Sequence, residues 1–363
     1  MYDFSSIVKK FQIDGQFVSC VRYGEGHINQ TFLLTMDEGE KRKDYILQRI
    51  NDKLFTDVER LMNNIKLVTE YNRKQIASRG GNPDRESLSL VYATDQKPYA
   101  FVEGAGYFRV YKFITDAIAY QNVEKPEHFY QSAIAFGNFA SLLSNFDAST
   151  LYESIPDFHN TEKRYQNFLR AVEEDRAGRK SLVQKEIEFV KARKDYCSRI
   201  VGLLESGNMP KRVTHNDTKL NNVMLDSVTG EPVAVIDLDT IMEGSLCYDF
   251  GDSIRFGCNH ADEGEPDLSK VNFDIDLFRQ YTKGYLKAVG DSITKVEKDN
   301  LAFGAILMTY ECGMRFLTDY LEGDTYFRIK HQKHNIDRTR MQFKLVTDME
   351  KVLPEMEKIV NEY

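Results

Sequence analysis

Nine consecutive residues, Thr214-His215-Asn216-Asp217-Thr218-Lys219-Leu220-Asn221-Asn222, place a carboxylate and a carboxamide five positions apart in one short polar run. Read as H-x-D-x-x-x-x-N, this is the spacing of a phosphoryl-transfer loop. In such a loop the Asp orients and deprotonates an attacking hydroxyl and the Asn holds a magnesium ion. Both side chains must emerge from one tight loop, so that acceptor and metal lie close together. Further on, Val235-Ile236-Asp237-Leu238-Asp239 closes an apolar strand with an acidic pair. A strand-end carboxylate suits Mg²⁺, which takes hard oxygen ligands at roughly 2.0–2.1 Å. Alone, the first string also fits an Asn- and Asp-rich turn, and the second an ordinary surface-capped strand. In this order and this close together, they point to Asp217 as the base and to Asn222 and Asp237 as metal ligands.

A third acidic string competes. Asp249-Phe250-Gly251 spells the tripeptide that binds metal in protein kinases, but it lies well past the loop. Asp237 already fills the metal position, so Asp249 is expected to accept backbone N–H bonds and brace the loop. Asp252 and Arg255, spaced i, i+3, are expected to pair as ions without a chemical role. Upstream, Tyr23-Gly24-Glu25-Gly26-His27-Ile28-Asn29-Gln30-Thr31-Phe32 reads as a glycine turn between strands. Small residues there let backbone amides approach phosphates. Most G-x-G turns are plain hairpins; this one gains weight because the downstream loop demands a phosphate cover. Gly104-x-Gly106 is set aside, because the run Tyr107 to Ile114 after it reads as a link between lobes. No Walker A string occurs, which excludes a P-loop NTPase.

The elements that must hold these residues follow from periodicity. Phe17 to Tyr23, Ile28 to Leu34 and Tyr45 to Ile50 are β-rich runs. Leu61, Ile65 and Val68 recur at helical spacing between about Leu54 and Ala77, stopped by Gly80-Gly81-Asn82-Pro83. Strands Ser87 to Ala93 and Phe108 to Ile114 complete a small α+β lobe. Beyond it the reading is helical: a stripe of Phe129, Ala133, Phe136, Ala140 and Leu143, then Thr161 to Glu174, Gln184 to Glu205, Leu277 to Val289, Asn300 to Leu321 and Thr339 to Ile359. One β-like island interrupts at Arg212 to Thr214, Val223 to Leu225 and Val233 to Leu238. The expected fold class is α+β, with a nucleotide-binding lobe over 1–114 and a larger, mainly helical catalytic lobe over 115–363.

With 48 Lys+Arg against 56 Asp+Glu and no basic block, the chain is unsuited to nucleic acid. No apolar stretch approaches the roughly 20 residues that cross a bilayer, and the first residues lack the apolar core of a signal peptide. Five dispersed cysteines fit reduced thiols in a cytoplasm. Histidines show no H-E-x-x-H spacing, so a zincin is not expected.

Taken together, these strings resemble the aminoglycoside phosphotransferase and choline kinase family, whose fold is protein-kinase-like and bilobal. Within it they are similar to the branch that phosphorylates N-acetylhexosamines. The resemblance runs through Tyr23 to Asn29, Tyr45-Ile46-Leu47-Gln48, Arg109 to Ile114, Thr214 to Asn222, Ile236 to Met242, Asp249 to Gly257, Glu311 to Leu317 and Asp319 to Asp324. It implies transfer of the ATP γ-phosphoryl group to the C1 hydroxyl of GlcNAc or GalNAc, with Asp217 as base and Mg²⁺ on Asn222 and Asp237. It also implies Gly24, Gly26, Asn29, Gln48, Tyr111 and Phe113 on the nucleotide, with His27, Asp217, Arg315 and Tyr326 on the sugar. Rivals are another small hydroxyl substrate, such as choline, homoserine or an aminoglycoside, and a pseudokinase that only binds nucleotide.

One departure stands out. Protein kinases carry a lysine on the third strand to pair with phosphates, whereas Gln48 occupies that place here. Arg49 next door faces the other way by strand alternation. Glu59 and Glu70 are the acidic candidates on the Leu54–Ala77 helix. Arg315 could instead pair with Glu311 or Asp319 on its own helix, and Tyr326 could be loop packing.

Overall fold

The computed structural model describes residues 2–24, 28–39, 41–123 and 125–363. Met1–Ile118, Ser149–Ile155 and Met224–Met242 cluster into one compact unit and the remainder into a second. The first unit begins with α1 (Phe4–Val8), β1 (Gln16–Arg22), β2 (Gln30–Asp37), β3 (Arg42–Arg49) and α2 (Val58–Ser78). It continues with α3 (Pro83–Glu86), β4 (Leu90–Val91), β5 (Ala100–Val102) and β6 (Gly106–Lys112). The sheet is antiparallel in the order β1-β2-β3-β6-β4, with β5 also on β6.

Alternation buries Phe32, Leu34 and Met36 of β2 and Tyr45 and Leu47 of β3 against Ile7, Val8, Phe11, Phe108 and Val110. Strand β6 departs from alternation: Phe108, Arg109, Val110 and Tyr111 are all buried, so both of its faces are covered. Helix α2 starts later than expected because Asp57 caps it, accepting from the Arg60 N–H at 3.0 Å. The expected strand Ser87 to Ala93 shrinks to the two residues of β4. Segment Met224–Met242, which carries Asp237, clusters with this unit rather than with the helices flanking it in sequence. Its strands Val223–Asp226 and Pro232–Val235 pair with each other, and the first also with Ala117–Ile118.

The second unit holds α4 (Pro126–Leu142), α5 (Thr161–Glu174), α6 (Gln184–Lys191), α7 (Tyr196–Glu205), α8 (Leu246–Gly257), α9 (Ile275–Val289), α10 (Lys295–Asp299), α11 (Leu301–Glu322) and α12 (His334–Glu362). The single helix expected over 184–205 is two. The chain turns at Ala192–Asp195, which lets α6 bury Ile187 and Val190 while α7 buries Cys197, Ile200 and Val201. Helix α11 is buried almost all round, as the central helix of a bundle should be. Helices α8 and α11 cross at facing glycines. A Cβ on Gly251 would stand 2.3 Å from the Gly304 carbonyl oxygen, and one on Gly304 would stand 2.5 Å from that of Cys247. Among the described residues no helix is long and apolar enough to cross a membrane.

Candidate active site

In the second unit the polar string folds as a loop after strand Arg212–Thr214 and ends in the single turn Leu220–Asn222. Helix α8 holds it. The Asp249 carboxylate accepts from the backbone N–H of His215 at 2.8 Å and of Asn216 at 2.7 Å. Asn216 thereby keeps the left-handed backbone (φ +63°) that turns the chain into Asp217. One helical turn on, Asp252 accepts from Thr218 N–H at 3.2 Å and pairs with Arg255 at 2.7 Å. Ser253 donates to the Thr218 carbonyl, and the Thr218 hydroxyl to that of Asp249. His215, fully buried beside the Phe136 and Phe139 rings, accepts from the Asp217 N–H through Nδ1 at 3.3 Å.

Asp217 is thus presented on a fixed backbone with its side chain partly open. Asn222 donates its amide N–H to the Asp217 carbonyl at 2.8 Å and to the Asp217 carboxylate at 3.0 Å. Lys219 reaches the other carboxylate oxygen at 2.6 Å. Burial pushes the Lys219 ammonium down, but the carboxylates of Asp217 and Asp252 outweigh it and hold the ammonium above its ordinary range. Burial raises Asp249 to about 6, only partly offset by His215 and the two N–H bonds. Burial also works against the Asp252 carboxylate, yet Arg255 and Lys219 keep it below the usual range.

The whole tripeptide at 249–251 is engaged in packing and hydrogen bonds within the second unit. Asp249 braces the loop, Phe250 packs among Phe278, Tyr281 and Tyr285, and Gly251 admits α11.

In the first unit, Asp237 follows strand Pro232–Val235 with a left-handed backbone (φ +60°) and opens the single turn Leu238–Thr240. Gln48 of β3 lies in register with Arg109 of β6 and accepts from its Nε at 2.8 Å. Arg109, 1% exposed, also donates to Asp239, whose second oxygen takes the Asn29 amide N–H at 2.5 Å. The Asn29 amide oxygen accepts from the Asn51 N–H, so both ends of that side chain are engaged inside the protein. Burial works against the Arg109 charge, but Asp239 and Tyr111 more than restore it.

Arg49 lies on the opposite face, as alternation requires, bonded to the Ala105 and Ile50 carbonyls and paired with Asp52. Neither acidic candidate on α2 approaches β3: Glu70 accepts from Tyr92, and Glu59 is exposed. Gly24 has φ +69° with no described residue other than its chain neighbours within 4 Å of where a Cβ would stand, Tyr111 lies under the Arg109 guanidinium, and Phe113 packs on Tyr23. Gly26 and His27 lie outside the described residues.

Back in the second unit, Arg315 forms an ion pair with neither of its helix neighbours. Glu311 is taken by His159 at 2.8 Å and by the Thr161 hydroxyl. Asp319 accepts the N–H groups of Thr325, Tyr326 and Phe327 and the Asn335 amide. The Arg315 guanidinium is walled instead by the rings of Phe158, Phe327 and Tyr326, at 5.1, 5.5 and 6.0 Å. Tyr326 is 56% exposed. Beside this group His159 is buried, and its Nε2 has no hydrogen-bond partner among the described residues.

Three side chains escaped the sequence reading. Lys219 stood in the quoted string without a role. Arg109 stood in an otherwise apolar stretch of its strand, Phe108 to Tyr111, without a role. Nothing local marked His159.

A profile of the phosphotransferase enzyme family matches residues 19–288. Arg315 and Tyr326 lie beyond that match. Among solved structures, an aminoglycoside phosphotransferase from Alicyclobacillus acidocaldarius is 14% identical over 99% of this chain and 96% of its own, with TM-score 0.62. Choline kinase from Cryptosporidium parvum is 12% identical over 99% and 98%, with TM-score 0.55. Spectinomycin phosphotransferase, in complex with ADP and spectinomycin, is 12% identical over 97% and 98%, with TM-score 0.54. These likenesses show a kinase-like α+β fold, with an antiparallel sheet in the N-terminal region and a helical C-terminal part.

Proposed function

The chain belongs to the phosphotransferase enzyme family, and on that footing we propose that it is a Mg²⁺- and ATP-dependent N-acetylhexosamine 1-kinase. It would pass the γ-phosphoryl group to the anomeric C1 hydroxyl of GlcNAc or GalNAc. The observation that carries the kinase reading is the loop of Asp217 and Asn222, suspended by Asp249 and Asp252 so that both side chains leave one rigid backbone.

Phosphoryl transfer needs little covalent help from the protein, so catalysis is mostly positioning and charge stabilisation. Asp217 holds the sugar hydroxyl in line and takes its proton as bonding to phosphorus develops. Lys219, paired with Asp217 at 2.6 Å, is a cation that incoming phosphate could take over once that hydroxyl displaces it. Asn222 and Asp237 offer the hard oxygens that would hold magnesium, which when bound neutralises phosphate charge. Backbone at Gly24 would cover the phosphates, and the stretch from Tyr111 to Phe113 would meet adenine. Gln48, tied to Thr31 at 2.9 Å and to Arg109, contributes hydrogen bonds and no charge.

Arg315 favours a neutral, hydroxyl-rich acceptor over choline or an aminoglycoside. A guanidinium with no paired carboxylate among the described residues repels a cationic substrate and donates well to sugar oxygens. Tyr326, on its flank, is exposed enough to pack on a sugar face. Measuring ADP release with GlcNAc, GalNAc, choline and kanamycin, each with and without Mg²⁺, tests the proposal. Turnover only with the acetylated sugars is expected. Turnover with choline or kanamycin alone would reassign the substrate, and silence with all four would overturn the N-acetylhexosamine reading.

A further inference from the structure

The third strand lacks a lysine and α2 turns no glutamate toward it, yet a buried ion pair stands beside Gln48. We propose that this pair stands in for the strand-lysine and helix-glutamate pair of protein kinases: its cation sits on β6 as Arg109 and its anion on the turn after Asp237 as Asp239, so that Arg109 positions the metal-binding carboxylate. This rests on the reading of Asp237 as a magnesium ligand. Arg109 is too deeply buried to touch phosphate, which makes it a positioning residue.

The geometry shows how it acts. One carboxylate oxygen of Asp239 receives the Arg109 guanidinium and the other the Asn29 amide. The Asp239 carbonyl accepts from the Ser154 hydroxyl at 3.2 Å, and two residues on the Ile241 carbonyl accepts from Asn64 of α2 at 3.2 Å. The turn that begins at Asp237 is therefore tied to β3 and β6 through Arg109, to the residues before β2 through Asn29, and to α2 through Asn64. Helix α2 presents Met62 to the guanidinium, with sulfur 3.8 Å from Nη1, where a glutamate would have competed with Asp239. A charged fork that fills two acceptors at once, Gln48 and Asp239, sets the direction in which the turn leaves the sheet.

Two variants of the full chain test this, with ADP affinity by calorimetry in Mg²⁺ and in EDTA, and thermal melting, as readouts. Arg109→Met with Asp239→Leu removes both charges, so neither is left buried and unpaired, and such exchanges are often neutral for stability. Because the Asn29 amide and the Gln48 oxygen each lose a partner, a melt lowered by up to about 8 °C is expected, with ADP affinity in EDTA within about two-fold of the parent. The gain in affinity that Mg²⁺ confers should fall about ten-fold or more, the usual effect of removing a group that orients a metal ligand. A double variant that keeps the parental gain overturns the role of Arg109. If it does not fold, Arg109→Lys decides. It keeps the charge but loses the fork, so the Mg²⁺ gain should fall by about three-fold or more, and a parental gain overturns the proposal. A parent whose ADP affinity ignores Mg²⁺ would instead overturn the metal reading of Asp237 and this inference with it.

Discussion

Replacing Asp249 by Asn separates a brace from a metal ligand. The substitution preserves shape, but an amide has one acceptor where the carboxylate has two. Of the bonds from His215 and Asn216, at 2.8 and 2.7 Å, one is lost and its N–H faces another donor. A hydrogen bond to a charged group contributes about 1.5–3 kcal/mol, so the variant should be destabilised by about 2–3 kcal/mol at pH 7. Chemical denaturation followed by circular dichroism reads this directly.

The pH dependence adds a second check. Burial raises Asp249 from 3.8 in the unfolded chain to about 6, so the folded protein binds the proton more tightly than the unfolded one. The stabilisation this brings is fully present below pH 3.8 and is lost as pH rises through about 6. That interval, at ~1.4 kcal/mol per pH unit, amounts to about 3 kcal/mol. The parent should therefore pull further ahead of the Asn variant between pH 7 and pH 4. Turnover should drop by about 100-fold, the order expected when a catalytic group is displaced by about 1 Å, with the Mg²⁺ requirement unchanged. Unaltered stability together with a raised Mg²⁺ requirement would refute the bracing argument and return Asp249 to the metal.

Three further outcomes follow. Asp217→Asn should lower kcat by about 10²–10⁴ with ADP affinity within about two-fold of the parent; unchanged turnover in a coupled ADP assay would exclude Asp217 as the base. Arg315→Met should raise KM for GlcNAc by about ten-fold or more and leave KM for ATP alone, since a charge-assisted bond to a sugar oxygen contributes about 1.5–3 kcal/mol; equal sugar KM would remove Arg315 from the acceptor site. Gly251→Ala should cost about 1–3 kcal/mol, because its methyl meets the Gly304 carbonyl at 2.3 Å; wild-type stability in urea would mean that α8 and α11 part freely.

Much of this was legible in the sequence because it is local. The loop spacing, the bracing by Asp249, the Asp252–Arg255 pair and the outward turn of Arg49 all follow from short-range pattern and alternation. What escaped was non-local. Arg109 and Asp239 are 130 residues apart, and a periodicity argument cannot say that a strand's lone arginine has its carboxylate in a distant turn. The same holds for Arg315, whose helix neighbours Glu311 and Asp319 are in the right places for ion pairs but are claimed by His159, Thr161 and the backbone after Gly323. The break within 184–205 was hidden because both halves carry apolar residues at helical spacing. Nothing in 224–242 announces that it clusters with the first unit.

The suspension of the Asp217 loop from α8 has a dynamic consequence. The amides of His215, Asn216 and Thr218 are bonded to carboxylates on a helix that is itself locked to α11 at the glycine crossing. A surface loop ordinarily exchanges its amide hydrogens by small local fluctuations. These three can reach solvent deuterium only when α8 itself detaches, so they should exchange on the clock of the bundle interior, and any loosening of that interior is felt first at the Asp217 loop.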